Sequence, residues 1–135
     1  MPVRSLLFPK KSRLLPGHRW LNIALRSLHL VGITGLGAGF LYSGQSEAWR
    51  IYLDITLASG VLLTLLAIWS NAIWLLQLRG QAILLKLLLL VFASYWSAAE
   101  TPLFILVILI SGIIAHAPGN VRYYSPIHRR RIENL

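Results

Sequence analysis

The stretch Trp20–Tyr42, WLNIALRSLHLVGITGLGAGFLY, decides how the rest of the chain is read. At 1.5 Å per residue it can cross the roughly 30 Å hydrocarbon core of a bilayer. Its only strongly polar side chains are Asn22, Arg26, Ser27, His29 and Thr34. Three further apolar runs follow it, from about Ile51 to Leu78, from about Gln81 to Ala99 and from about Pro102 to Ala117. The second is longer than a bilayer requires and is expected to tilt or project. The fourth stops at Pro118-Gly119, a pair that ends helices. The links Ser43-Gly44-Gln45-Ser46-Glu47, Leu78-Arg79-Gly80 and Glu100-Thr101-Pro102 are short, which makes sequence neighbours antiparallel neighbours. The expected fold is therefore all-α: a polytopic, up-down-up-down bundle of four transmembrane helices.

Composition agrees. Hydrophobic residues make up 56% of the 135, charged residues 13%, and mean hydropathy is +0.66. A soluble domain carries about 25% charged residues, so an ordinary water-soluble globule is excluded. The net charge of +9 comes from cations in flanks beside apolar runs, which points to a membrane surface and away from nucleic acid. Arg4, Lys10, Lys11, Arg13, Arg19 and Arg26 fall on one side, together with Arg79, Lys86, Arg122, Arg129, Arg130 and Arg131. On the other side Arg50 stands beside Glu47, Asp54 and Glu100. This asymmetry places both termini in the cytoplasm and, in a bacterium, the protein in the inner membrane. Residues 1–19 read as a basic interfacial arm, 20–118 as the membrane domain and 119–135 as a basic cytoplasmic tail. A cleaved signal peptide competes for the first run, but the long basic region and the embedded Arg26 and His29 oppose it. The absence of cysteine excludes disulfides, thiolate metal sites, iron–sulfur clusters, covalent c-type haem and a cysteine nucleophile.

A span that only sits in lipid has no need of ionisable groups, each of which costs about 2.5–3.5 kcal/mol near the bilayer centre. This chain carries several at similar depth. Counted from the cytoplasmic face, Arg26 lies roughly 8 Å in, His29 roughly 12 Å and Lys86 roughly 8 Å. Asn71 and His116 fall in the same half. Asn22, Arg26 and His29 form one helical stripe, followed by Gly32, Gly35, Gly37 and Gly39. Thr56, Gly60, Thr64 and Asn71 share a face on the second helix, Lys86, Ala93 and Ser97 on the third, and Ser111, Gly112, Ala115 and His116 cluster on the fourth. Each feature also has a plain reading. The glycines suit helix packing, Arg26 and Lys86 can snorkel to the headgroups, and His116 can cap a helix end. His18 and His128 lie in basic flanks and read as surface residues. The tryptophans and Tyr42 and Tyr52 read as an interfacial belt.

Two histidines on different helices with glycine beside them form the minimal site for haem b. His29 and His116 are the candidate axial ligands, Arg26 and Lys86 the candidate propionate partners, and Gly32 and Asn71 further lining residues. A quinone is the alternative cofactor, with carbonyl oxygens accepting from His29, Asn71 or Lys86. Copper is poorly supplied, because the one methionine is Met1 and there is no cysteine. Hydrolytic motifs and phosphate-binding loops are absent, and no inverted repeat supports alternating access. The expected function is a small membrane redox protein. The competing reading is a non-catalytic accessory or assembly subunit that packs against a larger membrane complex or its own copies.

Leu28-His29-Leu30-Val31-Gly32 with Gly37-Ala38-Gly39-Phe40-Leu41-Tyr42 resembles the opening helix of the copper-resistance-D-like membrane proteins and of the HemJ-type protoporphyrinogen oxidases. Leu78-Arg79-Gly80-Gln81-Ala82-Ile83-Leu84-Leu85-Lys86-Leu87-Leu88-Leu89 is similar to a later helix of the same proteins. The resemblance implies a four-helix membrane fold, with His29 as a haem ligand and Lys86 as a functional lysine. The Trp and the Leu-Pro-Arg that follow the first helix in the oxidases are missing, so protoporphyrinogen oxidation is not implied.

Overall fold

The computed structural model describes residues 3–42 and 49–133, and the chain is mostly helical (79%). It divides into two compact units, a hairpin unit of residues 13–70 and a second unit of residues 3–12 with 71–133. The expected turn at Ser43–Glu47 lies outside the described residues.

The hairpin unit consists of α2 (His18–Tyr42) and α3 (Trp49–Ser70), both long and apolar enough to cross a membrane. Gly17, at φ +71°, turns the chain into α2 from a left-handed conformation that glycine adopts without strain. The pairing follows one register. Gly32 meets Thr56, Gly35 meets Tyr52, Gly39 meets Trp49, and His29 meets Gly60. As the number rises on α2 it falls on α3, so the helices are antiparallel. The approach is closest at Gly32 and Gly35. A β-carbon on Gly32 would lie 2.8 Å from the Thr56 nitrogen, and one on Gly35 would enter the Tyr52 ring. Glycine there is a packing requirement. At the other end the Arg13 N–H donates to the Ser70 carbonyl (3.0 Å), and the Arg13 guanidinium stacks 4.7 Å above Trp69.

Helix α3 buries Ser59 and Leu66 and leaves much of its apolar surface exposed. Ser59 is 3% exposed, whereas Leu57 and Leu62 are 55% and 51% exposed. The small polar face packs on α2, and Leu57, Leu62 and Leu65 look outward.

In the second unit, α1 (Val3–Leu7) precedes an irregular segment. The second apolar run does not continue as helix to Leu78. It breaks at Asn71 (φ −172°, ψ 115°), whose Oδ1 accepts from the Ile73 N–H and starts a 3-10 segment, Ala72–Leu76. Asn71 Nδ2 donates to the Pro9 carbonyl at 3.2 Å, tying the N-terminal arm to this turn. Ala72, Ile73 and Trp74 are buried. Helix α4 (Leu78–Tyr95) starts three residues before the expected third span and ends at Tyr95, four residues before its expected end, with Trp96 as C-cap. A short 3-10 turn, Ser97–Ala99, leads to α5 (Glu100–His116), which packs against α4. Pro102 sits in the first turn of α5, where its missing N–H has no intrahelical role.

The segment after Pro118 is folded. Helix α6 (Gly119–Arg122) leads into two short antiparallel strands, β1 (Tyr124–Ser125) and β2 (Arg130–Arg131). Ile132 and Ser125 are buried, and Gln77, 1% exposed, donates from Nε2 to the Ile132 carbonyl at 2.7 Å. Gly80 lets α4 approach the preceding turn, since a β-carbon there would lie 2.7 Å from the Leu75 Cα.

Candidate functional site

The hairpin unit holds the deeper histidine. His29, half-buried on α2, sets Nδ1 3.1 Å from the Thr56 carbonyl and 3.0 Å from Ser59 Oγ on α3. A carbonyl only accepts, so this contact requires the proton on Nδ1 and leaves the lone pair on Nε2. Ser59 Oγ donates to the Ile55 carbonyl at 2.6 Å and is thereby oriented to accept from the imidazole. Gly60 makes room for the ring, because a β-carbon there would stand 3.1 Å from His29 Cε1. Arg26, one turn before, is exposed. Gly32 is buried, and Thr56 takes the space beside it.

An open apolar groove of about 530 Å³ lies in the same unit between Leu21, Leu25, Leu62, Leu66 and Trp69. Its walls suit hydrocarbon and give a quinone carbonyl little to bond with.

The second unit holds Asn71, Lys86 and His116, which take separate partners. Asn71 serves as the helix break described above. Lys86 Nζ, half-buried on α4, donates to Ser111 Oγ on α5 at 3.0 Å, and Ser111 Oγ donates onward to the Val107 carbonyl at 2.8 Å. His116 is exposed at the end of α5, with Nδ1 2.9 Å from the Gly112 carbonyl. It therefore has the same tautomer as His29. Among the described residues no group of three or more His, Asp or Glu side chains gathers in a way that could hold a metal ion.

Sequence reasoning missed the polar assembly at the Leu78 end of α4. The Tyr123 ring is surrounded by the guanidinium groups of Arg79, Arg131 and Arg122, at 5.0, 5.4 and 5.6 Å from its centre. Gln77 Oε1 accepts from Arg79 Nε at 2.6 Å and fixes that side chain. Arg122 Nε is buried with no hydrogen-bond partner. A glutamine alone in the run Trp74-Leu75-Leu76-Gln77-Leu78 is the one sequence signal of this assembly.

Ser125 Oγ lies 3.1 Å from His128 Nδ1 and accepts from the His128 N–H at 3.3 Å. Ser125 is fully buried, so the pair closes a turn and offers a substrate no nucleophile. No family model, no curated protein and no solved structure matches this chain.

Proposed function

We propose that the chain is a small integral membrane protein with redox function, holding haem b through His29 and His116. In this reading α2, α3, α4 and α5 are four spans with both termini in the cytoplasm. The outward leucines of α3 and the apolar length of α2 support the membrane setting. At 18 and 17 residues, α4 and α5 are each about 26 Å long, near the lower limit for a span.

The observation that carries the cofactor reading is shared by the two histidines. Each directs Nδ1 to a main-chain carbonyl, Thr56 for His29 and Gly112 for His116. That contact fixes the tautomer with Nε2 as the electron-pair donor, the arrangement that metal-ligating histidines adopt. Haem b supplies one-electron exchange when bound. The chain's own part is to hold the imidazoles in that tautomer, through Thr56 and Ser59 for His29. Arg26 and Lys86 supply positive charge for the propionates. A quinone is the lesser alternative, because the Nδ1 proton of His29 is already committed to Thr56.

The test is an absorption spectrum of the detergent-purified protein, oxidised and then reduced with dithionite. A Soret band that shifts, with sharp α and β bands on reduction, is expected, and His29→Leu is expected to abolish them. A featureless visible spectrum from folded protein removes haem.

One observation favours the second reading, an accessory subunit of a larger membrane complex. Gly112 and Ala115 are exposed on α5, and a β-carbon on Gly112 would meet nothing within 4 Å. Such a small-residue surface accepts a partner helix at close range. This reading requires a colourless protein that leaves mild detergent together with a partner.

A further inference from the structure

We propose that Arg79, Arg122 and Arg131, gathered around Tyr123, form a binding site for a phosphate group, supplied by the headgroup of an anionic phospholipid. The three guanidinium carbons all lie within 5.6 Å of one ring centre, so like charges are concentrated in a small volume. Acidic residues do little to relieve them. The chain has four, and only Glu133 belongs to this segment, pairing with Arg131 at the surface. Glu100 stands at the opposite end of α5. An added anion would relieve this repulsion, and planar guanidinium forks match phosphate oxygens two at a time.

Two further observations point to a ligand. Arg122 Nε is a buried donor with no acceptor, and buried donors normally have a partner. Arg79 is fixed by Gln77, itself held by the Ile132 carbonyl, so the site is built in advance of its ligand.

Position identifies the source of the phosphate. Arg79 is the second residue of α4, and Arg122 lies six residues past the end of α5. Residues at this end of an α4–α5 pair that crosses the membrane stand at the level of lipid phosphates, on the face where anionic lipid is concentrated. This step rests on the membrane reading above and is independent of haem.

The test is native mass spectrometry of the full chain in mild detergent, titrated with phosphatidylglycerol, with phosphatidylcholine or with inorganic phosphate. One phosphatidylglycerol is expected to stay bound under conditions that strip phosphatidylcholine. Arg122→Gln is expected to weaken it at least tenfold. Arg131→Gln, at a side chain 55% exposed and so safe for folding, is expected to weaken it several-fold. The pair Lys10→Gln and Lys11→Gln is expected to leave it unchanged. Equal retention of both lipids overturns the site, as does an equal loss on neutralising Lys10 and Lys11. Displacement of the lipid by millimolar inorganic phosphate overturns the lipid as the source. A chain that purifies without detergent and ignores vesicles fails the membrane reading itself, whereas one that needs detergent yet prefers no lipid fails this proposal alone.

Discussion

Replacing Gln77 with leucine tests whether the C-terminal segment is held as described. Gln77 makes two side-chain bonds, giving a proton to the Ile132 carbonyl at 2.7 Å and accepting one from Arg79 Nε at 2.6 Å. Leucine nearly preserves volume, so the loss is polar. Arg79 is half-buried and recovers part of its bond from water. Ile132 is 3% exposed, and its carbonyl is stranded. A buried acceptor left without a donor costs about 1–3 kcal/mol. We therefore expect about 2 kcal/mol of weakening in the opening of residues 123–132, or roughly thirtyfold at 1.4 kcal/mol per decade. Amide hydrogen exchange reads it directly, because the Ile132 N–H is protected by the Tyr123 carbonyl at 3.0 Å. Gln77→Glu separates the two bonds. It keeps an acceptor for Arg79 and removes the donor to Ile132, so exchange at Ile132 should rise as it does for leucine. Ile132 exchange within threefold of the unmodified protein in both variants would refute the reasoning.

Other expectations test the two units separately. Because the chain lacks cysteine, Gly39→Cys with Trp49→Cys introduces a single pair. A β-carbon on Gly39 would lie 3.2 Å from that of Trp49, close to the usual disulfide separation of about 3.5–4.5 Å. Mild oxidation should remove two hydrogens from the intact monomer mass, and free thiols would contradict the register. Gly35→Leu drives a side chain into the Tyr52 ring and should cost about 1–3 kcal/mol or more in a detergent unfolding titration. Gly112→Leu, with open space around it, should shift the midpoint little. Lys86→Leu removes the bond to Ser111 but should favour insertion of α4 by up to about 3 kcal/mol, read as the glycosylated fraction in a microsome assay. Unchanged insertion would count against α4 as a span.

The hairpin was legible where its cause is local. Gly32, Gly35 and Gly39 recur at helical spacing and read as a surface for close approach, and they meet Thr56, Tyr52 and Trp49. The end of α3 was hidden. Asn71 falls on the same helical face as Thr56, Gly60 and Thr64, so periodicity carries the helix through it. Its Oδ1 instead competes for the Ile73 N–H, and a short polar side chain can stop a helix that way. His29 was conspicuous by type and depth, but its partner was not, because a main-chain carbonyl leaves no mark in a sequence. The fold of residues 119–133 depends on a bond between Gln77 and Ile132, 55 residues apart. No local pattern carries such a contact, and the basic residues after Pro118 read as a cytoplasmic tail.

The break at Asn71 also separates two measures of the same segment. A membrane-insertion machinery weighs hydrophobicity, and by that measure residues 51–78 are one uninterrupted stretch of about 42 Å if helical. The finished α3 is 22 residues, about 33 Å, a close match to hydrocarbon thickness. The surplus leaves the helix at Asn71. Ala72, Ile73 and Trp74 form a 3-10 segment and are buried in the second unit. One asparagine thus turns apolar residues that a hydropathy reading assigns to a span into core.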